Sequence, residues 1–325
     1  MKNITLLKGL SFLFVLTFSL NAFSQSNDGK KRMLFGKEVK SENINPQTGM
    51  IRCASTEYEQ YLQENDPKRL TDAQFEAWLA PLVQNYKNLQ LAASQTGGII
   101  TIPVVVHVIH NGEAVGTAPN ITDAQVESQI TVFNQDFRKM LNTPGYNTNA
   151  VGADVQIQFA LAKQDPNGNP TNGIHRVNLC QPSWSTTDIN GTVKPNTIWD
   201  PTSYMNMWSV KFTDTSLLGY AQFPDSTLAG MTGMGGASDT DGVVCNYATF
   251  GSSDFNDGTF LTNAPYDKGR TMTHEVGHWL GLRHIWGDAS CGTDYCADTP
   301  TAHTSNFGCP AVVGCTTGTT EMVEN

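Results

Sequence analysis

The sequence predicts an α+β fold: a twisted mixed β-sheet with one backing helix and one active-site helix, preceded by a small helical prosegment. Two observations predict it. Short β-branched runs alternate with helical periodicity from residue 99 onward, which is typical of a sheet with helices packed on it. A histidine-rich helical segment then follows the last of these runs.

The first 24 residues have the three parts of a secretory signal peptide. Lys2 and Lys8 precede an apolar run from Leu10 to Leu20, and Ala22-Phe23-Ser24 is a small-x-small cleavage site. The apolar run is too short to span a membrane, so we expect a secreted protein. The net charge of −10 argues against nucleic acid and anionic membranes as partners.

Residues 25–97 are predicted to be a prosegment. Residues 25–50 are polar and are predicted to be disordered, whereas 56–90 have helical periodicity, with Thr71 or Asp72 as an N-cap. The stretch SQTGG at 94–98 is typical of a linker. We therefore place the boundary near residue 97 and expect a catalytic domain over 98–325.

The catalytic domain is predicted to alternate strands and helices. The N-cap of its backing helix is Thr122 or Asp123, and this helix extends to about Lys139. Residues 178–204 and 224–240 are predicted to be long polar loops, a length that favours function. The predicted strands are Ile99–His110, Val155–Ala162, Met205–Phe212, Gly219–Phe223 and Val243–Tyr247.

The segment HEVGHWLGLRH (274–284) has the spacing of a metal site. His274 and His278 share one face of a helix, and a helix that ends near Gly281 lets the chain bring His284 back to them. Three imidazoles leave the fourth zinc position open, and Glu275 could then act as a base on the water. The alternative is an ordinary amphipathic helix with solvent-facing histidines, but burying these polar groups without a ligand is costly.

The remaining histidines lack ligand spacing to one another. His107, His110, His175 and His303 are therefore predicted to be structural. Clustered cysteines in an exported protein favour disulfides, with a second zinc site as the alternative. Three pairings stay open for the four cysteines after the zinc helix, which are Cys291, Cys296, Cys309 and Cys315.

Three cysteines lie outside that cluster. Cys245 is predicted to be a buried thiol, and Cys180 has no assigned role. Cys53 stands alone in the prosegment, in the sequence IRCAST. Its thiolate could fill the fourth zinc position and keep the precursor inactive. The alternative is an incidental free thiol.

The sequence resembles a known family over roughly residues 98–325. The segment fits HExxHxxGxxH, the zinc signature of metzincins. The longer string HEVGHWLGLRHIWGD followed by CADTP resembles the pappalysin family of zinc metallopeptidases, as do IPVVVHVIHN, ITDAQVESQITVFNQDF, LLGYAQFP and DGVVCNYATFG. The resemblance implies a zincin/metzincin-like catalytic domain with zinc on the three histidines. Metzincins with an Arg-Cys prosegment motif also resemble the arrangement proposed for Cys53.

The resemblance implies further details of the site. Cys291 is linked to Cys315 in this reading, and Cys309 pairs with a cysteine further along the chain. Asp288, Asp294 and Asp298 lie in one loop that suits calcium, and Asp294 and Thr299 match the family's ligand positions; the alternative is a solvated acidic turn. We expect the edge strand (Gly219, Tyr220, Ala221, Gln222) to align an extended peptide.

The expected function is that of a secreted zinc metalloendopeptidase precursor acting on proteins or peptides. The alternative is a secreted zinc-containing binding module without catalysis, or an inactive protease fragment. The family continues with a methionine turn under the zinc, and this sequence stops before it, so Met322 is not assigned that role. We therefore expect the chain as written to be poorly soluble and nearly inactive, because apolar surface would lie exposed.

Overall fold

A computed structural model describes residues 31–92, 98–149, 152–225, 230–231, 237–308 and 310–316. The predicted signal peptide, residues 93–97 of the predicted linker region, Cys309 and Met322 lie outside the described residues. Within the described part of the chain the strands are β1 (Met33–Leu34), β2 (Lys37–Glu38), β3 (Ile100–His110), β4 (Ile157–Leu161), β5 (Ile174–Asn178), β6 (Met205–Val210), β7 (Gly219–Ala221) and β8 (Val243–Asn246).

The helices frame this sheet on both of its faces. Thr122 caps the backing helix by accepting a hydrogen bond from the Gln125 N–H at 3.2 Å, as predicted. In the described residues the α-helices are α1 (Ser55–Asn65), α2 (Asp72–Ala92), α3 (Asp123–Phe137), α4 (Thr186–Asp188), α5 (Lys194–Thr197) and α6 (Arg270–Trp279).

The main sheet is mixed, as the sequence predicts. Its order is β4-β3-β6-β8-β7, and β5 also pairs with β3. The neighbouring strands run parallel, except that β7 runs antiparallel to β8, with Gly219 opposite Cys245. Buried valines dominate the central strand β3, as expected for a strand covered on both faces. The short β7 therefore forms one edge of the sheet.

Each face of the sheet has its own apolar core. On one face, α3 and α6 bury Phe133 and Met272 against the sheet. On the other face, Trp208 and Tyr220 of the sheet pack against Leu34, Phe35 and Tyr58 of the prosegment, among other residues. The predicted prosegment is therefore part of the hydrophobic core of this chain.

This second core corrects the expectation that residues 25–50 are disordered. From residue 32 onward the segment forms the β1–β2 hairpin and buries Leu34, Phe35 and Val39. The few apolar residues in a polar stretch did not predict order, because the surface that covers them is distant in sequence. The predicted helical stretch at 56–90 is two helices separated by residues 66–71, and the second begins at Asp72, in agreement with the predicted N-cap at Thr71 or Asp72.

The prediction of a long polar loop at 178–204 is also wrong. It holds a helical segment from α4 through a π-helical turn to α5. The side chain of Ser185 caps its start, and Ile189 and Val193, four residues apart, are buried against the sheet. None of the helices in the described part of the chain has the length and apolar character that a bilayer-spanning segment requires.

Candidate metal centre and active site

Helix α6 presents two of the three predicted zinc ligands. The Nε2 atoms of His274 and His278, one turn apart, are 3.0 Å from each other. Gly281 has φ +97°, a conformation that glycine adopts at little cost, and it turns the chain just after the helix. His284 returns to the site, with its Nε2 atom 3.2 Å from that of His278. The structure thus brings the three histidines together.

Cys53, which lies in the predicted prosegment, completes the group. Its Sγ atom and one nitrogen of each histidine all lie within 4.8 Å of one another. Ligand nitrogens about 2.0–2.1 Å from a tetrahedral zinc would be roughly 3.3 Å apart, close to the separations seen here. Imidazole nitrogens with a thiolate are also a donor set that zinc favours. The residues present therefore fit zinc.

Hydrogen bonds orient two of the imidazole rings. The Nδ1 atom of His278 lies 2.7 Å from the Leu282 carbonyl oxygen, and that of His284 lies 2.8 Å from a carboxylate oxygen of Asp288. A donating Nδ1–H leaves Nε2 with its lone pair free for a metal. Trp286 stacks on the His284 ring at 4.3 Å and limits its rotation.

Burial keeps the imidazoles neutral. It lowers the pKa of both His274 and His278 well below the usual value, because a charged ring would lose its hydration. Metal binding requires the neutral form of histidine. These two side chains are therefore ready to bind a metal at neutral pH without first losing a proton.

Glu275 is fully buried beside the histidines. Its Oε2 atom accepts a hydrogen bond from the Ser55 hydroxyl at 2.8 Å and lies 3.4 Å from the Cys53 sulfur. Burial raises the pKa of Glu275 to about 8, and the hydrogen bonds from Ser55 and Cys53 oppose that rise. A Cβ atom at Gly219 would lie 3.2 Å from Glu275 Cγ and 2.9 Å from the Val244 carbonyl oxygen, so this position has room only for glycine.

Residues of the predicted prosegment cover the outer edge of β7. The Ile51 N–H donates to the Ser216 carbonyl at 2.8 Å, and the Leu218 N–H donates back to Ile51 at 3.0 Å. Next along the chain, the Ala54 N–H donates to the Gly219 carbonyl at 3.1 Å. The predicted substrate edge is therefore occupied in this chain by residues on both sides of Cys53.

The side chains of the predicted edge strand do not all face a substrate. Tyr220 packs into the core, and Ala221 is buried. Gln222 is buried too, and its Oε1 atom accepts hydrogen bonds from Tyr58 at 3.2 Å and from Thr240 at 2.6 Å. Backbone groups, rather than these side chains, are what β7 offers to an extended peptide.

The structure pairs Cys291 with Cys315 in a disulfide, with their Cα atoms 5.8 Å apart, as the resemblance implies. His303 lies next to this pair, but sulfurs in a disulfide are not available as thiolate ligands. Cys296 is an exposed free thiol, as is Cys180, while Cys245 is buried as predicted. Burial also raises the pKa of Cys53, and the nearby Glu275 raises it further.

The calcium prediction receives no support from the side-chain arrangement. Asp294 accepts a hydrogen bond from the backbone N–H of Cys296 at 3.0 Å, and Asp298 is exposed. In the described ranges, neither aspartate belongs to a group of three or more histidine, cysteine or carboxylate ligands that could share a metal. Thr299 lies in the same loop, its N–H donating to the Cys296 carbonyl. Calcium at Asp294, Asp298 and Thr299 stays a prediction.

Two residues next to the centre were not identified from the sequence. Asp288 was grouped with the calcium loop, whereas the structure places it against His284; its position four residues after His284 was the available signal. Ser55 carried no signal, because its partners Glu275 and Ala221 are more than 160 residues away.

The sequence of this chain is similar to that of known metalloproteases. Residues 189–324 match the peptidase M43 family, described as pregnancy-associated plasma protein-A. An extracellular metalloprotease of Colletotrichum graminicola is 30% identical over 228 residues, which are 69% of this chain and 67% of the relative. One of Arthroderma benhamiae is 28% identical over 222 residues, 68% of this chain; there the chain spans 65% of the relative's length.

Solved structures of related proteins have a similar fold. Mature mirolysin of Tannerella forsythia, in complex with a cleaved peptide, is 43% identical, with a TM-score of 0.57 over 68% of this chain and 79% of that one. A point mutant of Tannerella forsythia promirolysin is 38% identical, with a TM-score of 0.58 over 82% of this chain and 81% of that one. The second match covers more of this chain than the first.

Proposed function

We propose that this chain, which belongs to the pappalysin family of metallopeptidases, is the latent precursor of a secreted zinc endopeptidase. The observation that carries the proposal is the convergence of three histidines of the zinc motif and Cys53 within 4.8 Å, beside a buried glutamate. The extracellular relatives and the signal-peptide pattern of residues 1–24 support secretion.

His274, His278 and His284 would hold the zinc. Zinc, when bound there, supplies a Lewis acid that acidifies water and polarises a carbonyl group. The chain's own contribution is to fix the ligands: Asp288 and the Leu282 carbonyl hold two of the rings in the tautomer that exposes Nε2. A structural zinc site would have no use for a carboxylate such as Glu275 beside its ligands.

Glu275 acts as the general base and then as the general acid. Burial raises the pKa of Glu275 to about 8 in the precursor, and departure of Cys53 and Ser55, which contact the carboxyl, would rehydrate it and lower that pKa. Its Oε1 atom, which has no hydrogen-bond partner within the described part of the chain, is then available to take a proton from the attacking water. The same carboxyl group then returns the proton to the leaving amine. A buried site that excludes bulk water keeps the proton on this path.

The outer edge of β7 aligns the substrate once the prosegment has left. Its backbone groups at Leu218 and Gly219 already make main-chain hydrogen bonds to Ile51 and Ala54, and the Ala221 N–H donates to the Ser55 hydroxyl. A peptide that adds a strand here would gain main-chain hydrogen bonds of the same kind. Its backbone would then lie beside Glu275, which packs directly on Gly219.

Latency follows from the same contacts. Cys53 lies where the fourth zinc ligand would be, and the residues flanking it occupy the substrate edge. The prosegment therefore blocks the metal and the peptide-binding strand together. Cleavage near residue 97, followed by departure of residues 25–97, would free both.

The test uses the full-length chain with Glu275→Ala, and the exposed Glu127→Ala as a matched control. We expect one zinc per chain in all three proteins, and loss of about 10²–10⁴ in peptide cleavage for the Glu275 variant only. Elemental analysis, processing of the precursor and cleavage of a peptide library measure these outcomes. Equal cleavage by the Glu275 variant and the parent would rule out this base, and absence of zinc would rule out the proposed centre.

A further inference from the structure

Arg283 lies directly before the zinc ligand His284, and its side chain is only 9% exposed. Its guanidinium carbon sits 5.1 Å from the centre of the Phe223 ring and 5.8 Å from that of Tyr295. Phe223 follows the edge strand β7, so the guanidinium lies between the substrate edge and the loop after the zinc helix. The proposed mechanism gives this buried cation no role.

The prosegment supplies the partners of Arg283. Asp72 and Glu76, one turn apart on α2, both bind the guanidinium: Nη1 lies 3.0 Å from Asp72 Oδ2, and Nε lies 3.2 Å from Glu76 Oε1. Between them, the ring of Phe75 reaches Gly281, lying 3.6 Å from the position that a Cβ atom would take there. One turn of α2 thus places two carboxylates and an aromatic ring beside the segment from Gly281 to His284.

Departure of the prosegment would leave this guanidinium without either carboxylate. The small exposure of the guanidinium is that of the chain with α2 in place, so departure of α2 would open the guanidinium to solvent between the rings of Phe223 and Tyr295. Arginine is also the side chain best suited to bind a carboxylate through two parallel hydrogen bonds. The vacated place would therefore accept another carboxylate of similar geometry.

We propose that Arg283, with Phe223 and Tyr295, forms a carboxylate-binding subsite of the processed enzyme, which the precursor fills with Asp72 and Glu76. The inference rests on the proposed function and adds a substrate class to it: peptides that carry an acidic residue next to an aromatic one. The carboxylate comes from an acidic side chain or from the free C-terminus of a peptide, and both present the same chemistry.

The probe is the chain's own sequence. The peptide LTDAQFEAWL (residues 70–79), amidated at its C-terminus, is tested as an inhibitor of the full-length zinc-loaded chain after it has processed itself. Its matched control carries Asp72→Asn and Glu76→Gln, and a third peptide has the control sequence with a free C-terminal carboxylate. The same peptides are tested on Arg283→Gln and on Arg283→Lys, which keeps the charge but loses the planar fork.

We expect the acidic peptide to inhibit about tenfold more strongly than its amide control, the size expected for a charge-assisted pair. The ratio between inhibition by the acidic peptide and inhibition by its amide control should fall at high salt. Arg283→Lys should also lower this ratio, and Arg283→Gln should bring it to about one. Stronger inhibition by the third peptide than by its amidated control would assign the site to a C-terminal carboxylate. Equal inhibition by all three peptides, or a ratio that Arg283→Gln leaves intact, would overturn the proposal.

A second measurement does not depend on activity. In the intact precursor, a thermal-unfolding cycle combines Arg283→Gln with the Asp72→Asn/Glu76→Gln pair. A non-additive loss of stability supports the pairing of Arg283 with Asp72 and Glu76, whereas strict additivity overturns it. A zinc-loaded chain that cleaves peptides no faster than its Glu275→Ala variant would refute the proposed function, while a chain that exceeds this baseline without distinguishing acid from amide would refute only the subsite.

Discussion

The buried hydroxyl of Ser55 provides the sharpest test of how the prosegment is held. The Ser55 Oγ atom donates to Glu275 Oε2 and accepts from the Ala221 N–H, both at 2.8 Å. The residue is fully buried, so water cannot replace either partner without the segment moving. Ser55→Ala removes both hydrogen bonds and changes the side-chain volume by a single oxygen atom.

The size of the effect follows from the two groups left behind. A buried donor or acceptor without a partner costs about 1–3 kcal/mol, so losing both bonds should weaken docking of the proposed prosegment by about 2–6 kcal/mol. A change of 1.4 kcal/mol is tenfold in an equilibrium constant. The open form of the precursor should therefore become roughly 30-fold or more populated.

The assay follows the full-length, zinc-loaded precursor. We expect Ser55→Ala to process faster and to unfold at a lower temperature than the parent. Ser41→Ala is the matched control, because Ser41 lies in the prosegment but is exposed. If the Ser55 and Ser41 variants process and unfold like the parent, the hydroxyl does not hold the prosegment and the reasoning fails.

Three further predictions concern the centre and the core. Cys53→Ala should process earlier near residues 90–98 than the parent, and equal rates would remove the thiol from latency. Asp288→Ala should lower zinc affinity by about 10–100-fold, since outer hydrogen bonds to metal ligands have that effect; competition with a chelator measures it. Burial lowers the pKa of His107 to about 3, so the folded state binds fewer protons than the unfolded one between pH 6.5 and 3, and stability should fall as the pH falls through that range. His107→Gln should reduce this acid sensitivity in pH-dependent unfolding; an unchanged profile would contradict it.

The catalytic half of the fold was largely predictable. The β-branched run of β3 and the Thr122 cap of α3 are local signals, and the structure confirms both. The helix inside 178–204 was missed because its two buried residues are separated by polar ones. The order of the first part of the prosegment was missed for a related reason, since its apolar residues are few and their partners lie far along the chain.

The three histidines, the turn at Gly281 and the glutamate lie within eleven consecutive residues, so their spacing alone determined the candidate metal centre. Over so short a distance, helical geometry fixes how the histidine side chains lie relative to one another. The tertiary structure contributes the burial of this centre. The resemblance likewise implied the pairing of Cys291 with Cys315.

Only the tertiary structure decided what surrounds that centre. Cys53 is more than 200 residues from the histidines, and Ser55 meets Glu275 across a separation of 220 residues. The pairing of Arg283 with Asp72 and Glu76 depends on how α2 lies against the zinc loop. Sequence periodicity does not predict such contacts, because the packing of the whole core sets how two distant segments lie against each other. In this chain, the apolar face of the sheet that the proposed prosegment covers sets that arrangement.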